Sequence, residues 1–218
     1  EMLVVRHRIP AAQAWARANA IDRVVVDGER RQLGIVTSGK AYVDVRQALA
    51  ALGVDDARAR ALGVRVYKVG MIWPLEPMGL REFARGHREL LFVEEKAAFV
   101  EDQAAKILYH LGHDERPRLT GKHDDRGEAL LPPDVQLDFA SVALAIARRL
   151  TALGLDDDAL RGRIALLEGR LQHARATPPG PATRTPYFCS GCPHNTSTKV
   201  PEGSIALAGI GCHTMAGP

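Results

Sequence analysis

Cysteine is absent from the first 188 residues of this 218-residue chain; Cys189, Cys192 and Cys212 all fall in the last thirty. An odd number so placed excludes an evenly paired disulfide framework. Aromatic residues make up only 5% of the chain, and acids nearly balance bases at a formal net charge of +3. Nucleic-acid binding asks for a concentrated basic surface, so composition gives no case for it. Basic clusters such as Arg58-Ala-Arg60 and Arg148-Arg149 read as solvated helix faces. Long hydrophobic runs are also missing: the longest, Val142 to Ala147, falls far short of the ~20 residues that span a bilayer. Glu1 to Pro10 carries Arg6, His7 and Arg8 after a brief apolar stretch and does not resemble a secretory leader. These absences together lead to the expectation of a cytoplasmic, reducing setting, where free thiols can hold a metal.

What is present suffices for one sizeable domain with smaller attachments, since 46% of the residues are hydrophobic. Pro10 opens a short Ala-rich helix. Arg23–Val26 and Leu33–Val36 read as two strands around the Asp27-Gly28 turn. A helix follows from Ala41, with Tyr42, Val45, Leu49 and Leu52 on one face, and a shorter one runs from Asp55 to Leu62 and is stopped by Gly63. Val64–Val69 and Glu89–Val93 are further strands, each followed by helical periodicity, and Arg118–Thr120 is a last short one. Strands alternating with amphipathic helices imply an open, mostly parallel α/β sheet over residues 1–130. From Asp134 the pattern becomes helical. Phe139 to Leu150 and Leu160 to Leu171 mark a hairpin of two helices, an appendage over residues 131–175. Four prolines between Thr177 and Pro186 make residues 176–188 an extended linker, and residues 189–218 open a new unit.

Three constellations could carry chemistry. Thr37-Ser-Gly-Lys40 lies where a strand meets a helix start, a place where free N–H groups bind anions. It lacks both the P-loop and the dinucleotide glycine patterns, so the favoured reading is a tight turn capped by Thr37 or Ser38 with Lys40 in solvent. Glu94-Glu-Lys96 ends a strand at the edge where open sheets place ligands. Adjacent strand residues point to opposite faces, which argues against an acid–base pair and for a charged helix start. Trp73-Pro-Leu-Glu-Pro77 is a rigid turn whose tryptophan packs as a lid on the core or, alternatively, meets a partner.

The cysteines are the most specific signal. Cys189-Ser-Gly-Cys192 has metal-ligand spacing, and Cys212 follows after nineteen residues. Pro193 after the second cysteine excludes a c-type haem motif. Zinc could use the three thiols with His194 or His213, though a zinc ribbon would offer a second knuckle. An iron–sulfur cluster would need a fourth thiolate. The residues alone leave the two metals evenly balanced, and a nonredox scaffold with a zinc knuckle stands as the alternative to an enzyme.

Arg184-Thr-Pro-Tyr-Phe-Cys-Ser-Gly-Cys-Pro-His-Asn-Thr-Ser-Thr198 and Ala208-Gly-Ile-Gly-Cys-His213 closely resemble the opening of the thiamine-diphosphate-binding domain of the indolepyruvate ferredoxin oxidoreductases, in their fused bacterial form. Gly34 to Tyr42, Tyr67 to Pro77 and Val93 to Lys96 are similar to the middle region of that family, a domain like the C-terminal domain of transketolase. The resemblance implies oxidative decarboxylation of aryl 2-oxo acids to the acyl-CoA with ferredoxin as electron acceptor. It implies Cys189, Cys192 and Cys212 as three ligands of a [4Fe–4S] cluster, beside thiamine diphosphate and its Mg²⁺. Gly191, Pro193 and His194 would shape the wall near the cofactor, and Gly209 and Gly211 would let backbone approach it. CoA would be co-substrate, and a homodimer is expected. The motif that anchors Mg²⁺ is not in the chain, and Val26-Asp-Gly-Glu29 is no substitute. The expectation is therefore an internal fragment without turnover of its own, its fourth cluster ligand elsewhere; no catalytic residue is assigned.

Overall fold

The computed structural model describes residues 1–176, 187–205, 207, 211 and 212. They fall into two compact units, Glu1–Ala174 and Arg175–Pro218. In the first, a π-helical turn over Val4–Arg8 leads into α1 (Ile9–Ala18). Then come β1 (Arg23–Val26), β2 (Leu33–Ser38), α2 (Gly39–Ala51), α3 (Asp56–Leu62), β3 (Val64–Val69), α4 (Pro77–Ala84) and β4 (Glu89–Val93). After these follow α5 (Val100–Leu108), β5 (Arg118–Thr120), α6 (Phe139–Ala152) and α7 (Asp158–Ala176). The second unit holds α8 (His194–Ser197).

The sheet order is β1-β3-β2-β4-β5. Strands β3, β2, β4 and β5 are mutually parallel, as their alternation with helices requires, and β1 is an antiparallel edge. The expected hairpin of β1 with β2 does not form: β3 lies between them, with Val24 opposite Tyr67. Two forces explain the exchange. The crossover through α2 and α3 lays β3 beside β2, with Leu33 opposite Val64. The Asp27 carboxylate, just past β1, then accepts from Arg65 Nε of β3 at 2.7 Å instead of closing a turn toward β2.

Both faces of the sheet are covered, so the central strands are largely apolar. Along β4, Leu91 and Val93 join Ile35 and Val66 under α2, α3, α6 and α7, whereas Leu90 and Phe92 join Val36 and Tyr67 under α4 and α5. Expected as an appendage, the α6–α7 pair is instead a packed layer of the first unit. Helix α6 lies against α2 and buries Val142, Ala143, Ile146 and Leu150, and α7 adds Leu160 and Leu167 to the same core. Asp138 starts α6 by accepting from Ser141 N at 2.8 Å.

Arg149 is not solvated. It is 3% exposed, and its Nε and Nη2 donate to the two oxygens of Glu89 at 2.6 and 2.8 Å. Its spacing explains this: Val142, Ala145, Ile146, Arg149 and Leu150 recur at the i, i+3, i+4, i+7, i+8 positions of one helix face.

Candidate functional site

Helices α2 and α3 cross on one face of the sheet and α4 on the other, so the direction of winding reverses between β2 and β4. In open α/β sheets ligands bind outside the carboxyl ends of such strands. Here that edge holds a cleft of 290 Å³ lined by Ser38, Gly39, Lys40, Ile72, Glu95 and Phe99, among others. Its charges pair with one another, although the buried Glu95 Oε1 makes no hydrogen bond. Lys40 Nζ donates to Asp44 at 2.8 Å and to the Leu137 carbonyl at 2.6 Å, and pairs with Glu95 at 3.1 Å. The bond to Asp44, opposed by some desolvation and aided by Glu95, raises the Lys40 pKa. The turn thus departs from both of its expected forms. No side-chain bond from Ser38 caps α2, the Thr37 hydroxyl is buried without a partner, and Lys40 is held by Asp44, Glu95 and the Leu137 carbonyl instead of standing free in solvent.

Glu94 does start a helix. Its carboxylate accepts from Val100 N and Glu101 N at 2.8 and 3.0 Å, in the first turn of α5. Glu95, the next residue, pairs instead with Lys40. Lys122 escapes sequence reasoning: it is buried, and its Nζ donates to the Glu94 carbonyl at 2.6 Å. Burial pushes its pKa down. Only its place just after the last strand could have drawn notice, in Arg118-Leu-Thr-Gly-Lys122. Trp73 is 57% exposed and does not cover the core; two residues on, Leu75 does.

The second unit builds a small turn around two thiols. Cys192 N donates to the Cys189 carbonyl at 3.0 Å, and Asn195 Nδ2 reaches the same carbonyl at 3.3 Å. Gly191 makes the turn possible by taking φ +75°, a left-handed conformation that costs glycine little. Pro193 leads into α8. Cys192 is half-buried, with Sγ 3.2 Å from His194 Nδ1, and the His194 ring stacks on Phe188 at 5.5 Å and 20°. Cys189 and Cys212 are exposed, and all three thiols are free.

The structure therefore brings Cys189, Gly191, Cys192, Pro193 and His194 into one turn. It does not add Cys212: among the described residues no three of His, Cys, Asp or Glu converge to hold a metal ion. Gly211, at φ +144°, adjoins Cys212, and Gly209 lies outside the described residues. In its donor chemistry the Cys189–Cys192 turn fits two neighbouring ligand positions of a thiolate-bound metal centre. The third ligand is not assembled.

The chain thus combines a doubly wound α/β sheet, whose ligand edge carries mutually paired charges, with a separate unit that holds a two-thiol turn. The family model described as the indolepyruvate oxidoreductase domain matches residues 23–175. The chain belongs to that oxidoreductase family. It is 28% identical over 193 residues to the indolepyruvate oxidoreductase subunit IorA of Thermococcus kodakarensis, covering 86% of this chain and 26% of that one. With the subunit of the same name from Pyrococcus abyssi it shares 30% over 193 residues, at the same coverage. The Methanothermobacter marburgensis subunit gives 27% over 213 residues, 92% of this chain and 29% of that one. The chain thus spans 26% of the length of the first two relatives and 29% of the third. Among solved structures, a split-gene transketolase in an inactive β4 tetramer aligns with 60% of this chain and 41% of its own, at TM-score 0.41 and 22% identity. A 2-oxoglutarate:ferredoxin oxidoreductase from Magnetococcus marinus aligns with 67% and 23%, at TM-score 0.40 and 14% identity. No helix among the described residues is long and apolar enough to cross a membrane.

Proposed function

We propose that this chain supplies the scaffold and the thiolate-bearing turn of an enzyme that oxidatively decarboxylates aryl 2-oxo acids such as indolepyruvate, forming the acyl-CoA and reducing ferredoxin. The observation that carries the proposal is the family match over residues 23–175, followed in sequence by the Cys189–Cys192 turn. On this reading residues 1–130 are a transketolase C-terminal-like domain, 131–175 its helical pair, 176–188 a linker, and 189–218 the start of a thiamine-diphosphate-binding domain. Cys189, Cys192 and Cys212 are three ligands of a [4Fe–4S] cluster. Gly191, Pro193 and His194 form the wall beside thiamine diphosphate, and Gly209 and Gly211 allow close backbone approach. Thiamine diphosphate, held with Mg²⁺ by regions corresponding to the part of the relatives not spanned here, supplies the electron sink for decarboxylation. The enzyme works as a cytoplasmic homodimer. The neutralised cleft at Lys40 supports a scaffold role for the first unit, because it offers no unpaired charge to a substrate.

The experiment is metal analysis of the anaerobically purified full-length enzyme, together with an assay of indolepyruvate- and CoA-dependent ferredoxin reduction. Iron, sulfide and turnover are expected, and single Cys→Ala changes at 189, 192 and 212 should each drain iron. One zinc per chain without iron would overturn the proposal in favour of a nonredox scaffold with a zinc knuckle.

A further inference from the structure

We infer that His194 donates a hydrogen bond from Nδ1 to the Cys192 sulfur and thereby sets the reduction potential of the cluster that this sulfur ligates. The inference rests on the iron–sulfur reading above and assigns His194 a positioning and tuning role within it.

The geometry comes from residues on either side of the imidazole. Nδ1 lies 3.2 Å from Cys192 Sγ. Phe188, before the turn, stacks against the ring at 5.5 Å and 20°. His194 is also the first residue of α8, and its carbonyl accepts from Thr198 N at 3.2 Å and from the Thr198 hydroxyl. Pro193 restricts the backbone immediately before it. The ring is thus oriented by its neighbours as well as by the sulfur it faces. A ligating cysteine is a thiolate, which only accepts hydrogen bonds, so the contact then requires the proton on Nδ1. Reduction adds an electron whose charge spreads over the cluster sulfurs. A donor aimed at one of them stabilises the reduced form more than the oxidised form and raises the potential. Both Cys192 and His194 are half-buried, which limits the water that could replace the bond.

Two variants of the full-length enzyme separate this role from packing. H194F keeps a ring against Phe188 but has no donor; H194N removes the ring and offers an amide N–H near the position of Nδ1. Iron content is measured first, then the cluster potential by an anaerobic redox titration followed by electron paramagnetic resonance. The expected result is wild-type iron in both variants, a more negative potential in H194F and a near-wild-type potential in H194N. An unshifted potential in H194F overturns the inference, and so does an equal shift in both variants, which would assign the effect to the ring. Iron loss in H194F would make His194 a builder of the turn and equally overturn the tuning role. A wild-type enzyme without iron defeats the function proposed above, and shows this before any variant is compared.

Discussion

Arg149 of α6 grips Glu89 at the start of β4 with two hydrogen bonds, of 2.6 and 2.8 Å, and both side chains are buried. The Thr120 hydroxyl also donates to Glu89, and Asp125 accepts from Arg149 at 2.8 Å, so the pair clamps α6, the interior strand β4 and the edge strand β5 together. Arg149→Met would leave the Glu89 carboxylate buried with its main partner gone. The expected loss is about 3–5 kcal/mol, because the desolvation cost of the remaining charge is no longer offset. Combining it with Glu89→Leu should recover most of that loss. Urea denaturation of the chain followed by circular dichroism measures both. A single variant within about 1 kcal/mol of wild type would show that the clamp is not needed.

His87 is buried beside Phe83, their ring centroids 4.8 Å apart. Burial pushes its pKa down to about 4 from the ordinary 6.5; the Arg65 and Arg31 charges add to the fall, and the Phe83 and Ala84 carbonyls oppose it. The folded state therefore holds neutral histidine where the unfolded state binds a proton. This contribution to stability is complete above pH 6.5 and is lost as pH falls from 6.5 toward 4. Its slope is at most about 1.4 kcal/mol per pH unit. Comparing urea midpoints at pH 7 and pH 5 should show a larger fall for wild type than for His87→Leu. Equal falls would mean that other groups govern the acid limb.

How much of this was legible depends on whether a feature is local. The apolar run in Glu89–Val93 marks a strand, and the Phe139–Leu150 and Leu160–Leu171 periodicities match α6 and α7. Pairing was less visible. Nothing in Arg23–Val26 says that its partner is β3, because that choice depends on the later crossover through α2 and α3 and on the Asp27–Arg65 contact. Residue type places Arg149 in solvent although its spacing lies on the core stripe, and its partner is sixty residues away. At the thiol turn, spacing alone marked Cys189 and Cys192. The contact between Cys192 and His194 was not readable, since it depends on the ring orientation set by Phe188 and α8.

Gly34 is a steric requirement of the central strand. A Cβ placed there would lie 2.5 Å from Leu90 Cδ2 and 2.9 Å from Phe83 Cε1, closer than side chains tolerate. Gly34→Ala should destabilise the chain by about 1–3 kcal/mol, as overpacking of a dense core does. Adding Leu90→Ala should cost less in the Gly34→Ala background than in wild type, because the two side chains compete for one space. Denaturation of the four-member mutant cycle measures the coupling, and strict additivity would sink the explanation.

Lys40 tests the idea that the strand-to-helix turn binds a phosphate. Its ammonium already meets Asp44, Glu95 and the Leu137 carbonyl, and its side chain remains 46% exposed. Helix α2 is held by Ala41, Val45, Ala48 and Leu49 in the core. Lys40→Met should therefore fold and melt close to wild type. A ligand present at 100 times its Kd stabilises a folded protein by about 2.7 kcal/mol, so binding would register as a higher melting temperature. Neither inorganic phosphate nor ATP should raise that of the wild-type chain. A rise that disappears in Lys40→Met would restore the anion-binding role, because it would show Lys40 leaving Asp44 and Glu95 for a stronger partner.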